Sequence, residues 1–430
     1  MLGGPDGRLL APSGSQDRDR PGSHRLAACL DRPRILAYSR ILLALEIALF
    51  LFMMAGTQGW IVPLKKPTST DFVSFYTAGS LANAGTPALT YDRAAHYAAE
   101  QQATAAGIPY QFFYYPPIYL LLCAPLARLP YLAAFILFET ATLAFYLVVA
   151  RRILGARGSA ILVPILAFPA VFWNLGLGQN AFLTAALFGA ATLCIDRRPI
   201  LAGLLFGALC YKPHFGLLVP VALLAGGRWR AFAAAGAAVG ALCLASLLLF
   251  GAATWHAFLA SALAAHATYE SDSIAVVAYV TPWGAALQLG AGPALAWAVQ
   301  GMATLTAAGF VAWVWRRDLP LPVRAAALAA ATLAAVPVAL MYDLMLATVA
   351  ILWLVRTGRE PAMPPAEKLA LAGVLGSFAF GLLLLASGRH EPTGILAVPI
   401  LPLAVLGLIA IVAARAWHAA RQRAPEPALS

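Results

Sequence analysis

Charge is what this sequence has least of. Only 11% of its 430 residues are Asp, Glu, Lys or Arg, against about 25% in a soluble globular chain. So few charges cannot cover a water-facing surface, which excludes a cytosolic enzyme and a disordered chain. Cysteine is sparse too. Its five residues, Cys29, Cys123, Cys194, Cys210 and Cys243, are scattered without the spacing of a disulfide framework or a metal site. A secreted disulfide scaffold is therefore excluded. Contiguous basic stretches are also missing, although the net charge is +11. Lys and Arg stand in twos and threes between apolar blocks, which is the pattern of cytoplasmic loops and not of a nucleic-acid groove.

Apolar residues make up 61% of the chain, and mean hydropathy is +0.78. The expectation is an all-α, polytopic transmembrane helix bundle. Apolar segments lie near 35–55, 130–150, 159–175, 180–196, 199–212, 214–227, 231–250, 292–315, 321–338, 341–356, 367–387 and 393–414. They amount to about 12 spans (range 10–13), several shorter than the ~20 residues of a straight crossing. With the N-terminus in the cytoplasm, only Lys65, Lys66, Arg93, Arg128, Lys212 and Arg389 of the 29 basic residues fall outside. That asymmetry predicts an even number of spans with both termini cytoplasmic. The organisation read from this is a disordered tail over 1–36, one transmembrane domain over 37–415 and a short tail over 416–430.

Two outer loops are long, at about 56–129 and 251–291, and loops of that length usually carry function. The first predicts helices near 71–83 and 92–106, then Tyr114-Tyr115-Pro116-Pro117 and an apolar piece, 118–127, too short to span. The second holds His256, His266, Glu270 and Asp272. No internal repeat is evident.

A membrane-embedded site shows itself through polar groups that lipid would reject, at roughly 2.5–3.5 kcal/mol for one mid-span charge. Asp71, Asn174, Gln179, Lys212, His214 and Asp343 come from separate stretches, and the span count puts all of them at the outer face. One outward polar cavity is the simplest account. Each residue also has a plainer reading. Asp71, ahead of Phe72, Phe75 and Tyr76, suits a general base beside sugar-stacking rings, or caps a helix. Lys212 suits a phosphate, or snorkels at a helix end. His214 reads as a polar turn residue, Asp343 as a helix cap, and Tyr115-Pro116-Pro117 as a rigid break. Glu46 and Glu139 lie within spans without an assigned role.

In order along the chain stand Asp71-Phe72, Phe75-Tyr76, Ala78-Gly79, Tyr91-Asp92, Tyr115-Pro116-Pro117, Gly178-Gln179-Asn180, Lys212-Pro213 and Tyr342-Asp343. From about residue 40 to 360 this set resembles glycosyltransferase family 87, which includes polyprenol-phosphate-mannose-dependent mannosyltransferases. The resemblance implies a GT-C fold, an extracytoplasmic site in the plasma membrane and a polyprenyl-phosphate-sugar donor, usually mannose. It further implies a glycan or glycolipid acceptor, inversion at the anomeric carbon and a catalytic carboxylate at Asp71. Some relatives carry a histidine near the Tyr-Asp segment. Residues 337–342 here read Pro-Val-Ala-Leu-Met-Tyr, which leaves His214 or His266 as a candidate partner for the base.

On this reading Lys212, His214 and Arg128 hold the donor phosphate. Phe75, Tyr76, Tyr115, Gln179, Asn180 and Asp343 meet sugar or acceptor. No cofactor, metal or nucleic acid is called for, and the oligomeric state is open. The competing expectations are a transporter, whose site would lie at the midplane between repeated halves, and a non-catalytic envelope-assembly protein.

Overall fold

The computed structural model describes residues 27, 29–55, 71–155, 158–270, 275–357, 363–386 and 393–422. The expected tail over 1–36 falls mostly outside them, as do Lys65, Lys66 and Asp272. Among the described residues the regular structure is helical, with no strand beyond one isolated bridge between Tyr279 and Leu340.

Helix α1 covers Arg32–Ala55. A loop module follows, made of α2 (Phe72–Asn83), a 3-10 turn at Pro87–Tyr91, α3 (Arg93–Ala103), an extended stretch, and α4 (Leu120–Leu126). The two helices expected there are present, and the apolar piece at 118–127 is α4 with its leading 3-10 turn. Gly79 is where α2 meets α4. A Cβ on it would collide with the carbonyl of Cys123 and stand 2.8 Å from the Ala127 Cβ, so glycine sets that close approach.

The bundle proper runs through α5 (Tyr131–Leu154), a single turn α6 (Leu162–Leu166), α7 (Pro169–Leu177), α8 (Ala181–Cys194), α9 (Pro199–Gly207) and α10 (Val219–Ala225). It continues with α11 (Trp229–Glu270), α12 (Pro282–Gln288), α13 (Pro293–Arg316), α14 (Leu321–Ala335), α15 (Met345–Thr357), α16 (Pro365–Ala386) and α17 (Ile400–Gln422). Proline opens α7, α9, α12, α13 and α16, where a missing N–H costs nothing. Among the described residues five helices are long and apolar enough to cross a membrane, fewer than the about 12 spans expected: α5, the Trp229–Leu263 part of α11, α13, α16 and α17.

Several expected segments are differently built. The one at 159–175 is split by Phe168-Pro169 into α6 and α7, because the proline cannot donate into a continuing helix. Residues 251–270, expected as loop, extend α11; Gly251 (φ 79°, ψ 162°) breaks the helix there. Helix α14 stops at Ala335, and its residues from Val323 onward are all buried. A helix apolar on every side belongs inside, and α14 packs against α13, α15 and α17.

Helices α9 and α11 touch backbone to backbone. A Cβ on Gly207 would stand 2.6 Å from the Ala235 carbonyl oxygen, and one on Gly203 would strike Ala231. This Gly-xxx-Gly face is the small-residue contact that lets helices associate in lipid.

One end of the bundle is closed by charges. Asp196 binds Arg228 at 2.9 Å and Arg324 at 2.8 Å, and Asp318 binds the same two arginines at 3.1 and 3.4 Å. Arg324 is 4% exposed. The network gathers the turns after α8, before α11 and between α13 and α14. Each of α8 and the α9–α10 hairpin leads from that end to the opposite one, where Gly178-Gln179-Asn180 and Lys212 lie.

Candidate active site

At that opposite end the polar residues picked from the sequence meet. Asp71 stands at the head of α2 with helical backbone angles, and its side chain makes no capping bond. Its Oδ2 accepts instead from Gln179 Nε2 at 2.7 Å. Gln179 is 4% exposed, and its Oε1 accepts from the Asn180 N–H at 3.1 Å and from the Tyr115 hydroxyl at 3.4 Å. The amide is therefore fixed with its NH2 toward the carboxylate, and Asp71 Oδ1 keeps no hydrogen bond among the described residues.

The turn that delivers Gln179 is set by its sequence. Gly178 ends α7 in the left-handed region (φ 68°). A Cβ there would lie 2.7 Å from the Phe72 Cβ and 2.8 Å from Phe135. Asn174 then closes the turn from below. Its Nδ2 donates to the Gln179 carbonyl at 2.9 Å, and its Oδ1 accepts from the Ala181 N–H at 3.0 Å. Glycine at 178 lets the turn sit directly on Phe72, one residue from Asp71.

Lys212 lies between two 3-10 turns, Ala208–Tyr211 and Pro213–Gly216. It is 5% exposed, and Asp343 is 4% exposed. The ammonium donates to Asp343 Oδ1 at 2.7 Å, 5.2 Å from the ring centres of both Phe215 and Tyr342. Asp343 Oδ2 accepts from the Leu340 N–H at 3.1 Å. Asp343 is thus a cap, as one reading had it, and also the counter-ion of Lys212. A buried ammonium needs such a partner.

These charges act on Asp71. Burial pushes its carboxyl up to about 6; the Gln179 hydrogen bond and the Lys212 charge pull it down, and the Asp343 charge pushes it up. A carboxyl raised in this way holds a proton more readily than a free one, which is the direction that proton abstraction asks of a carboxylate.

A layer of rings supports the polar groups. Tyr115 packs on Tyr119 (4.6 Å) and Phe75 (5.3 Å), and Tyr119 stacks on Tyr211 (5.1 Å). Tyr91 donates to the Tyr115 carbonyl at 2.9 Å, and Asn180 Nδ2 donates to the Tyr119 hydroxyl at 3.3 Å. Phe75, 2% exposed, lies inside this layer. Tyr76 points elsewhere, donating to the Leu129 carbonyl at 2.9 Å and packing on Tyr131 at 5.1 Å. His214 is partly buried beside Lys212, its ring 4.6 Å from Phe215. Arg128 is exposed past the end of α4 and has no ion pair among the described residues. The side chain of His266 lies outside the described set.

Tyr119 and Tyr211 were not singled out in the sequence. The signal for Tyr119 was the aromatic run from Tyr110 to Tyr119, whose alternate members face one way. Tyr211 adjoins Lys212, and its hydroxyl pairs with Thr184 at 2.7 Å.

A family model described as glycosyltransferase family 87 matches residues 113–341, slightly more than half of the chain. The matched stretch includes Tyr115, Gln179, Asn180, Lys212 and His214, and stops just short of Asp343. Asp71 precedes it. No curated protein and no solved structure matches.

Proposed function

Since the chain belongs to glycosyltransferase family 87 and is a membrane protein, we propose that it moves a hexose from a polyprenyl-phosphate-sugar to a hydroxyl of a glycan or glycolipid, with inversion. Mannose is the sugar of choice. The site opens to the extracytoplasmic side of the plasma membrane. The arginine-rich clasp at the other end supports that orientation, since basic loops stay in the cytoplasm.

The observation that carries the reading is the state of Asp71. Its carboxylate is not spent on capping α2, one oxygen is held by Gln179, and the other is left to accept. An acceptor hydroxyl gives its proton to Oδ1 as its oxygen attacks the anomeric carbon. The new C–O bond forms as the bond to the phosphate oxygen breaks, and the electron pair leaves on polyprenyl phosphate. Lys212, steered by Asp343, offsets that growing negative charge in a site shielded from water. Tyr115 and Gln179 line the sugar's place.

The test is transfer by purified protein in liposomes. Label from a radiolabelled polyprenyl-phosphate-mannose should enter an acceptor glycolipid, and label from a nucleotide sugar should not. Use of the nucleotide sugar alone overturns the donor assignment. Passage of sugar across the vesicle without bond formation favours a transporter.

A further inference from the structure

The loop module encloses two ionisable side chains that this scheme does not use. His96 and Glu100, one turn apart on α3, are both 0% exposed. His96 Nε2 meets the Ser74 carbonyl oxygen at 3.3 Å. A carbonyl can only accept, so Nε2 carries the hydrogen. Glu100 Oε2 accepts from the Gln111 N–H at 3.1 Å. This leaves His96 Nδ1 and Glu100 Oε1, which lie 3.7 Å apart, each buried and with no hydrogen bond among the described residues.

One further proton therefore has one place to sit, between Nδ1 and Oε1. Whether it rides on the acid or on the imidazole, the pair as a whole is uncharged, and its titration belongs to both residues together. Burial favours the acid form, pushing the Glu100 carboxyl up to about 8 and the His96 imidazole down to about 4. The surrounding ionisable groups are Asp71 at the head of α2, Tyr91 before α3, Asp92 and Arg93 at its start, and Tyr110, whose ring meets His96 edge-on at 5.8 Å. Asp71 adds its own negative charge to what holds the proton on Glu100. Ser74, which carries the carbonyl under His96, also donates its N–H to the Asp71 carbonyl at 3.2 Å.

We propose that His96 and Glu100 are positioning residues for the base: their shared proton keeps the floor beneath Asp71 uncharged and the first turn of α2 in place. Loss of that proton leaves an uncompensated carboxylate under the site, and transfer falls. The proposal rests on the transferase reading above.

The experiment is the pH dependence of kcat/KM in liposomes for the wild type, E100Q and E100A. Glutamine keeps the acceptor for the Gln111 N–H and turns an N–H toward His96 Nδ1, but has no proton to lose. Wild-type activity should fall as pH rises through about 8. E100Q should lack that fall and recover at least tenfold over E100A at neutral pH. An E100Q profile that superimposes on the wild type over the alkaline range overturns the proposal, as does a wild type without an alkaline fall. Infrared difference spectra between D71N and D71N/E100Q read the pair without turnover: the band of a buried protonated carboxyl that E100Q removes should vanish as pH rises. A chain that transfers no sugar at any pH yet shows this band sinks the transferase reading and leaves the shared proton standing.

Discussion

Asp71 and Gln179, 108 residues apart in the chain, meet at 2.7 Å between Oδ2 and Nε2. That single contact joins the loop module to the helix bundle at the proposed point of chemistry. It also sets the capping reading of Asp71 aside, since a capping aspartate would turn its carboxylate back onto its own helix.

Replacing Asp71 by Asn keeps the size of the side chain and removes the base. Transfer should fall by roughly 100- to 10,000-fold, the usual contribution of a positioned general base, with unchanged expression and thermal stability. Radiolabel transfer in membranes measures this.

The acid side of the pH profile should report Asp71. The base works only when ionised, so activity should be lost as pH falls through about 6. Gln179 donates to the ionised form and favours it. Gln179→Leu should therefore move the acid limb to higher pH and lower kcat/KM most strongly below neutrality. A limb that stays in place would remove Gln179 from this role.

Gly178→Ala tests the delivery turn. A side chain in the left-handed region costs about 1–3 kcal/mol, and the added Cβ meets Phe72 at 2.7 Å. Transfer should fall at least tenfold along with a drop in thermal stability. Gly176→Ala, where a Cβ meets nothing within 4 Å, should be close to neutral in stability.

Lys212 and Asp343 should each be costly to lose alone and should compensate each other when lost together. Removing one member of a buried pair strands the other charge, at roughly 3–5 kcal/mol. Lys212→Met with Asp343→Leu should recover much of the lost thermal stability without recovering transfer, because the phosphate would still lack its cation. Recovery of transfer would exclude Lys212 from donor binding.

Much of the site was legible because polar groups are rare in this chain. Asp71, Gln179, Lys212 and Asp343 stood out against apolar surroundings, although the about 12 spans counted to put them on one face exceed the five long apolar helices found among the described residues. Which ring faces what was not legible. Phe75 and Tyr76 are neighbours on α2, and only the packing of α4 and α5 decides that one enters the ring layer and the other turns to Leu129. His96 and Glu100 were missed for a related reason. On a polar helix, an i, i+4 His–Glu pair looks like a solvated face, and its burial comes from the aromatic stretch 110–115 folding over it. The break at Pro169 was visible in principle, yet hydropathy summed over 159–175 hides its two prolines, Pro164 and Pro169.

Gly251 has a consequence for how the loop module is held. A straight helix of the length of Trp229–Glu270 would reach about 60 Å, twice the roughly 30 Å of a hydrocarbon layer. The break turns the second half aside, and Phe258 comes to lie 5.7 Å from Tyr91 in the loop module. One continuous stretch of chain is thus moored at both depths, like a post with a bracket. The loop module that bears Asp71 is thereby held against the helix that α9 packs on, and on the proposed reading a lipid-linked substrate must bring its reactive carbon to that fixed point.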